Sequence, residues 1–160
     1  MIFTTKAEYG VRLLVELGRQ PQEVPVSLKA IAAAEGLPLA YLERIVALLK
    51  KAGFVESTRG AHGGYRLARP ADAIRMDEVV VALEGAVAPM ECFVDDREEA
   101  KAGEGRVLCS HHDDRGHGCA TKLLWTRVQG GVMKALSTTT LAELVAFSDR
   151  GAPRAERVAV

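Results

Sequence analysis

The chain has 160 residues, about one domain with a small appendage, and its 48% hydrophobic and 26% charged residues with mean hydropathy +0.04 exclude disordered and fibrous classes. Its 21 basic and 21 acidic residues cancel, so no global positive field announces a nucleic-acid partner. No segment approaches a membrane span, the N-terminus lacks a secretory pattern, and an odd number of cysteines, three, suits a reduced cytoplasmic setting and metal or redox chemistry.

The regional charge is uneven. Residues 1–70 hold 10 Lys/Arg against 6 Asp/Glu, and residues 71–120 hold 5 against 12, which suggests a division of labour along the chain. Thr5-Lys-Ala-Glu8 fits a capping box that opens a first helix, in which Ala7, Val11, Leu14 and Val15 recur at helical spacing before Gly18. Pro21 and Pro25 mark a loop. Ser27 suits the cap of a second helix, with Leu28, Ile31 and Ala32 inward and Gly36 as its left-handed end. After Leu37-Pro38 a third helix is expected to run to Ala52, with Leu42, Ile45, Val46 and Leu49 as one apolar stripe and Gly53 as its stop.

Two short helices joined by a tight glycine-bearing turn read as helix-turn-helix. Strands at Phe54–Thr58 and Tyr65–Arg69, around the glycine-rich tip Arg59–Gly64, add a hairpin and complete a winged-helix arrangement. Pro70 closes this wing, and a helix follows from Asp77 to Glu84, with Val79, Val80 and Leu83 apolar and Gly85 as its end. A long helix is expected from Cys119 to Ser137, with Leu124, Val128, Val132 and Leu136 along one face. Gly130-Gly131 inside it costs about 1 kcal/mol per glycine relative to alanine, a cost that close approach of a partner helix would explain. Thr140 suits the cap of a last short helix, Leu141–Phe147.

The expected fold is therefore mainly α with a small β-hairpin wing. Residues 1–85 form a winged helix-turn-helix DNA-binding domain and residues 86–118 a cysteine-bearing, loop-like segment. Residues 119–148 form a long dimerisation helix with a short C-terminal helix, and residues 149–160 a mobile tail.

Thr5-Lys-Ala-Glu-Tyr-Gly10, Leu39-Ala-Tyr-Leu-Glu43, Arg59-Gly-Ala-His-Gly-Gly-Tyr-Arg-Leu-Ala-Arg69 and Val81-Ala-Leu-Glu-Gly85 resemble the IscR/NsrR-type winged-helix transcription regulators. So do Cys119 with Leu123-Leu-Trp125, and Thr140-Leu-Ala-Glu-Leu-Val145. The resemblance spans about residues 1–147. It implies a homodimer that binds double-stranded DNA, often with an iron–sulfur cluster (2Fe-2S or 4Fe-4S) held by three cysteines per subunit. Cys92 and Cys119 sit at the outer family positions. Cys109 is displaced, with 16 residues between it and Cys92 and 9 before Cys119, and Lys122 stands where IscR-type members supply a histidine.

For DNA, a step of about 100° per residue places Ala40, Arg44, Ala47 and Lys51 opposite the apolar stripe of the third helix, with Glu43 beside them. Arg44 can donate twice to guanine or a phosphate, and Glu43 can accept from cytosine N4. The resemblance points to Glu43 as a base reader, with Tyr41 nearby. In the wing, Arg59 and His62 flank Gly60, Gly63 and Gly64, which let backbone approach a duplex and its phosphates. Ser27 completes the candidate DNA-binding set. A solvated face with an ordinary ion pair is the bland alternative for the third helix, and core packing suits Tyr65 better than contact.

For metal, Cys92, Cys109 and Cys119 are thiolate candidates, with His111, His112 and His117 between them. Thiolates select iron–sulfur clusters or zinc. A zinc-binding structural or protein-interaction module with the same fold is thus the rival reading. Glu8 has two roles open to it: the capping box, or, as some NsrR-type proteins imply, a weak oxygen ligand to the partner subunit's cluster. No phosphate loop, HExxH, nucleophile elbow or Cys-x-x-Cys favours an enzyme.

Overall fold

The structure, a computed structural model, describes residues 3–60, 62–87 and 120–151. Helix α1 is Thr5–Gly18, α2 Leu28–Glu35 and α3 Leu39–Lys51. The antiparallel hairpin β1 (Val55–Thr58) and β2 (Gly64–Leu67) follows, then a short 3-10 turn at Ala71–Ala73 and α4 (Met76–Glu84). After the undescribed segment come α5 (Ala120–Thr138) and α6 (Leu141–Gly151). This is a mainly helical chain with a hairpin wing directly behind a helix-turn-helix. Among the described residues, no helix is long and apolar enough to cross a membrane.

The buried face of α1 is Ala7, Gly10, Leu13, Leu14 and Leu17. That arc is wider than the expected stripe, and Val11 and Val15 lie at its half-buried margin. The reason is position: α2, α3, β2, α4 and α6 all pack on this helix. Two glycines make room for neighbours. A Cβ at Gly10 would meet Leu83 Cδ1 of α4 at 2.3 Å, and one at Gly18 would meet Val145 Cγ2 of α6 at 2.8 Å. Leu42, Ile45, Val46 and Leu49 of α3 and Leu28 and Ile31 of α2 close the same core.

The start of α1 departs from the capping-box expectation. Its N-cap is Thr4, whose hydroxyl accepts from Lys6 N–H at 3.2 Å. Glu8 is not the reciprocal carboxylate; it points outward, 4.0 Å from Arg12. Glu84, at the last position of α4, takes that role from a distant part of the chain. Its Oε1 accepts from Thr4 Oγ1 at 2.6 Å, Thr4 N–H at 3.2 Å and Ala7 N–H at 3.0 Å. A tertiary cap thus stands in place of the local one, because any nearby carboxylate can satisfy the orphan amides of a first turn.

The other caps follow expectation. Ser27 Oγ accepts from Ala30 N–H at 3.1 Å, and Gly36 is left-handed at φ 63°. Thr140 and Glu143 form a reciprocal box at 3.0 and 3.3 Å that opens α6. That helix continues past Phe147 to Gly151, so the mobile tail expected from 149 does not begin there; residues 152–160 lie outside the described residues. Leu141, fully buried, pins α6 to the core, and its N–H donates to Ile74 O at 2.9 Å. On α5, Leu123 and Leu124 are more than half exposed, and a Cβ at Gly130 or Gly131 would meet nothing within 4 Å among the described residues.

Burial works to raise the Glu84 pKa, but the hydrogen bonds from Thr4 and Ala7 and the charge of Lys6 outweigh it and hold the carboxyl below its ordinary 4.5. The hydrogen bond from Arg75 likewise holds the buried Asp77 below 3.8 against its desolvation. Both depressed values add stability that is present above the unfolded-state pKa and lost as pH falls through the folded one. Glu84→Ala is expected to cost about 1–3 kcal/mol at neutral pH, measured by urea unfolding. The parent's advantage over Glu84→Gln is expected to shrink as pH drops below 4.5; an advantage that persists unchanged would contradict the cap.

Candidate nucleic-acid interface

The candidate residues lie on three elements, the head of α2, the outer face of α3 and the tip of the wing, with α3 packed against both α2 and β1. The α3 stripe is inserted so fully that Leu42 and Leu49 are inaccessible and Ile45 is 1% exposed. Its opposite face is thereby fixed outward. Ala40, Glu43, Arg44, Ala47 and Lys51 are all exposed. Glu43 and Arg44 form no ion pair among the described residues, so the face is solvent-exposed without the pair that the bland alternative expected. Tyr41 differs. It is half-buried and meets Tyr9 of α1 edge-on, with ring centroids 5.7 Å apart and planes at 86°.

The wing pairs Val55 with Leu67, Glu56 with Arg66, Ser57 with Tyr65 and Thr58 with Gly64. Glu56 and Arg66 make a cross-strand ion pair at 2.7 Å. Two attachments tie the hairpin to the helix-turn-helix. Lys50 Nζ, on the last turn of α3, donates to Ser57 Oγ at 2.6 Å. Val26, next to the α2 cap, exchanges two backbone bonds with Tyr65, each 2.8 Å, and acts as a third strand position. Tyr65 packs against the core, as expected.

The glycines have internal causes. Gly60 has φ 115°, a region that side chains avoid. A Cβ at Gly63 would stand 2.3 Å from Thr58 O, and one at Gly64 2.4 Å from Val26 O. The fold itself requires all three, whatever lies outside. Arg59 and His62 at the tip are exposed and have no ion pair among the described residues, and Ser27 is exposed while capping α2. Sequence reasoning missed Lys29, exposed in the first turn of α2 and without an ion pair among the described residues, and Lys50; position beside the cap and beside the wing was the available signal.

At the wing's base, Arg69 bonds Glu78 of α4 at 2.8 Å and lies 4.8 Å over the Phe54 ring. The metal candidates Cys92, Cys109 and Cys119, with His111, His112 and His117, lie outside the described residues. Among the described residues there is no group of three His, Cys, Asp or Glu that could hold a metal ion. Glu8 is exposed and takes no part in the cap; its carboxylate lies 4.0 Å from Arg12.

Gly64→Ala is expected to push β2 off Val26, since a backbone oxygen cannot yield as a flexible side chain can. Hydrogen exchange should then show faster amides at Val26 and Tyr65, with those of α1 and α4 unchanged. Protection equal to the parent's would show that the close approach is not required.

Residues 3–147 match the family model Rrf2, described as iron-dependent transcriptional regulator. The protein rrf2 of Nitratidesulfovibrio vulgaris is 38% identical over 145 residues, covering 91% of this chain and 87% of that protein. The solved structure of CymR, the global cysteine regulator of B. subtilis, superposes with TM-score 0.70 at 34% identity, over 91% of this chain and 96% of that one. That of T. potens IscR gives TM-score 0.70 at 30% identity, over 96% and 93%. The chain belongs to the Rrf2 family of DNA-binding, winged-helix transcription regulators.

Proposed function

We propose that this Rrf2-family chain is a cytoplasmic, homodimeric regulator that binds a roughly palindromic DNA site and sets its affinity through an iron–sulfur cluster. The observation that carries the DNA reading is the outer face of α3, where Glu43 and Arg44 stand unpaired on a helix locked from behind by its buried stripe. A carboxylate without a cationic partner is free to accept from cytosine N4, and a free guanidinium to donate to guanine or phosphate. Arg59 at the wing tip supplies sequence-tolerant contact in the minor groove or to the backbone.

Two copies of α3 on a two-fold axis read two half-sites. The half-exposed Leu123 and Leu124, with the open backbone at Gly130-Gly131, support α5 as the subunit contact. In this reading Cys92, Cys109 and Cys119 hold the cluster, 2Fe-2S or 4Fe-4S, and the fourth ligand is the partner subunit's Glu8 or one of His111, His112 and His117. The family's iron-dependent description and the thiolate donor set support this, as does the exposure of Glu8, which a loose 4.0 Å pairing with Arg12 leaves accessible. When bound, such a cluster supplies a centre sensitive to redox state, nitric oxide or iron supply. A ligand that favours one conformation then shifts DNA affinity only by its differential binding.

Light scattering should report a dimer, and selection from random duplexes a palindromic preference whose affinity falls steeply with salt. Glu43→Ala is expected to relax base preference by about 1–3 kcal/mol for each bidentate base pairing it removes, and Arg59→Ala to weaken binding evenly across sequences. Monomer alone, or no preferred duplex, would overturn the reading.

Protein purified without oxygen is expected to contain iron and sulfide and to absorb visible light. Each of Cys92→Ser, Cys109→Ser and Cys119→Ser should lose that absorption and any signal-dependent change in DNA binding while remaining dimeric. Zinc alone in iron-replete anaerobic protein would decide for the structural-metal alternative.

A further inference from the structure

Two contacts from one face of α1 straddle the turn between α2 and α3. On one side, Arg12 Nε donates to Glu35 Oε2 at 2.8 Å, and its Nη2 donates to the backbone carbonyl of the same residue. Glu35 is the last residue of α2, so this carbonyl is one of the orphan acceptors of a helix end, and a cation there also suits the helix dipole. On the other side, Tyr9, three residues earlier and therefore on the same face, holds the ring of Tyr41 edge-on in the first turn of α3. Between the two contacts lie Gly36, left-handed, the buried Leu37, and Pro38, the N-cap of α3.

We infer that Tyr9 and Arg12 are positioning residues for DNA recognition. Together they set the angle between α2 and α3, and hence how the reading face enters the groove, without touching DNA themselves. This rests on the DNA-binding reading above. The packed faces of α2 and α3 set that angle coarsely. Gly36 adds no side-chain contact at the turn, and anchoring both flanks from one rigid helix narrows the freedom that is left. The planar guanidinium serves carboxylate and carbonyl at once, whereas a lysine ammonium has no such fork. Glu8 also lies 4.0 Å from Arg12, so the arginine links the exposed start of α1 to the turn.

The test uses the full-length dimer, the duplex that the parent selects, and a copy with the base pairs under α3 exchanged. Arg12→Ala and Tyr9→Leu are each expected to cut the preference between these duplexes by about tenfold. The slope of log affinity against log salt should stay within about half a unit of the parent's, because every phosphate contact is retained. Tyr9→Phe keeps the ring edge and is expected to keep the preference. Arg12→Lys keeps the charge without the fork and is expected to lose it, and it decides the matter if Arg12→Ala does not fold. A salt slope reduced by about one unit with preference intact would make Arg12 a phosphate contact and overturn the inference. So would an intact preference in all variants with only a lower melting temperature, which is packing alone. A parent that selects no duplex overturns the regulator reading, and this inference with it.

Discussion

Leu83 of α4 lies against α1 at Gly10, where a Cβ would stand 2.3 Å from its Cδ1, and the next residue, Glu84, caps the same helix. Both contacts draw the two helices together where a side chain or an unsatisfied amide would hold them apart. The first is steric and the second electrostatic, and they act one residue apart. With α4 seated this closely, α1 becomes the central element on which α2, α3, β2 and α6 all rest. Everything that reads or supports the proposed duplex surface is hung on that helix.

The same logic runs outward. From α1 the stripe of α3 is buried, and burial of one face fixes the other outward. From α3, Lys50 reaches the wing at Ser57, while Val26, one residue before the cap of α2, pairs with β2. The hairpin is thus fastened to both helices of the helix-turn-helix. A two-stranded hairpin alone is marginal in water. Its attachment at two points, with glycine at 64 permitting the closer one, is what lets it present Arg59 and His62 at a fixed place relative to α3.

The periodic features are legible in the sequence: the apolar stripe of α3, the cap at Ser27, the left-handed Gly36, the wing and the cap at Thr140 all follow from spacing and residue type. Glu8 shows where such reading stops. Its position fits a capping box, yet the carboxylate that caps α1 is Glu84, 77 residues beyond Ala7. A local pattern cannot reveal that a remote group competes for the same amides. The pairing of Arg12 with Glu35 and of Val26 with Tyr65 is similarly non-local. Gly64 is readable as a glycine but not as one forced by Val26. The cysteines are legible only as chemistry, because their spacing matches no standard site and they lie outside the described residues.

A formally neutral chain can still present a cationic reading surface if its carboxylates are engaged elsewhere. In the first seventy residues, Glu16 pairs with Arg19, Glu35 with Arg12 and Glu56 with Arg66, all away from the tip and the outer face of α3. Lys29, Arg44, Lys51 and Arg59 have no carboxylate within ion-pair reach among the described residues, and they lie on α2, α3 and the wing. Pairing is selective: it consumes positive charge at the scaffold and leaves it on the exposed faces of α2, α3 and the wing. The field that a duplex would meet is therefore set by which cations remain unpaired, at distances well inside the roughly 10 Å over which salt leaves it unscreened. Glu43 is the exception on that face, an acid that, like the cations around it, has no ion pair among the described residues. Against phosphate it is unfavourable; against a base-edge amino group it is a specific acceptor. In the DNA-binding reading proposed above, its presence there would cost affinity except when the correct base lies beneath it, and that difference would supply specificity.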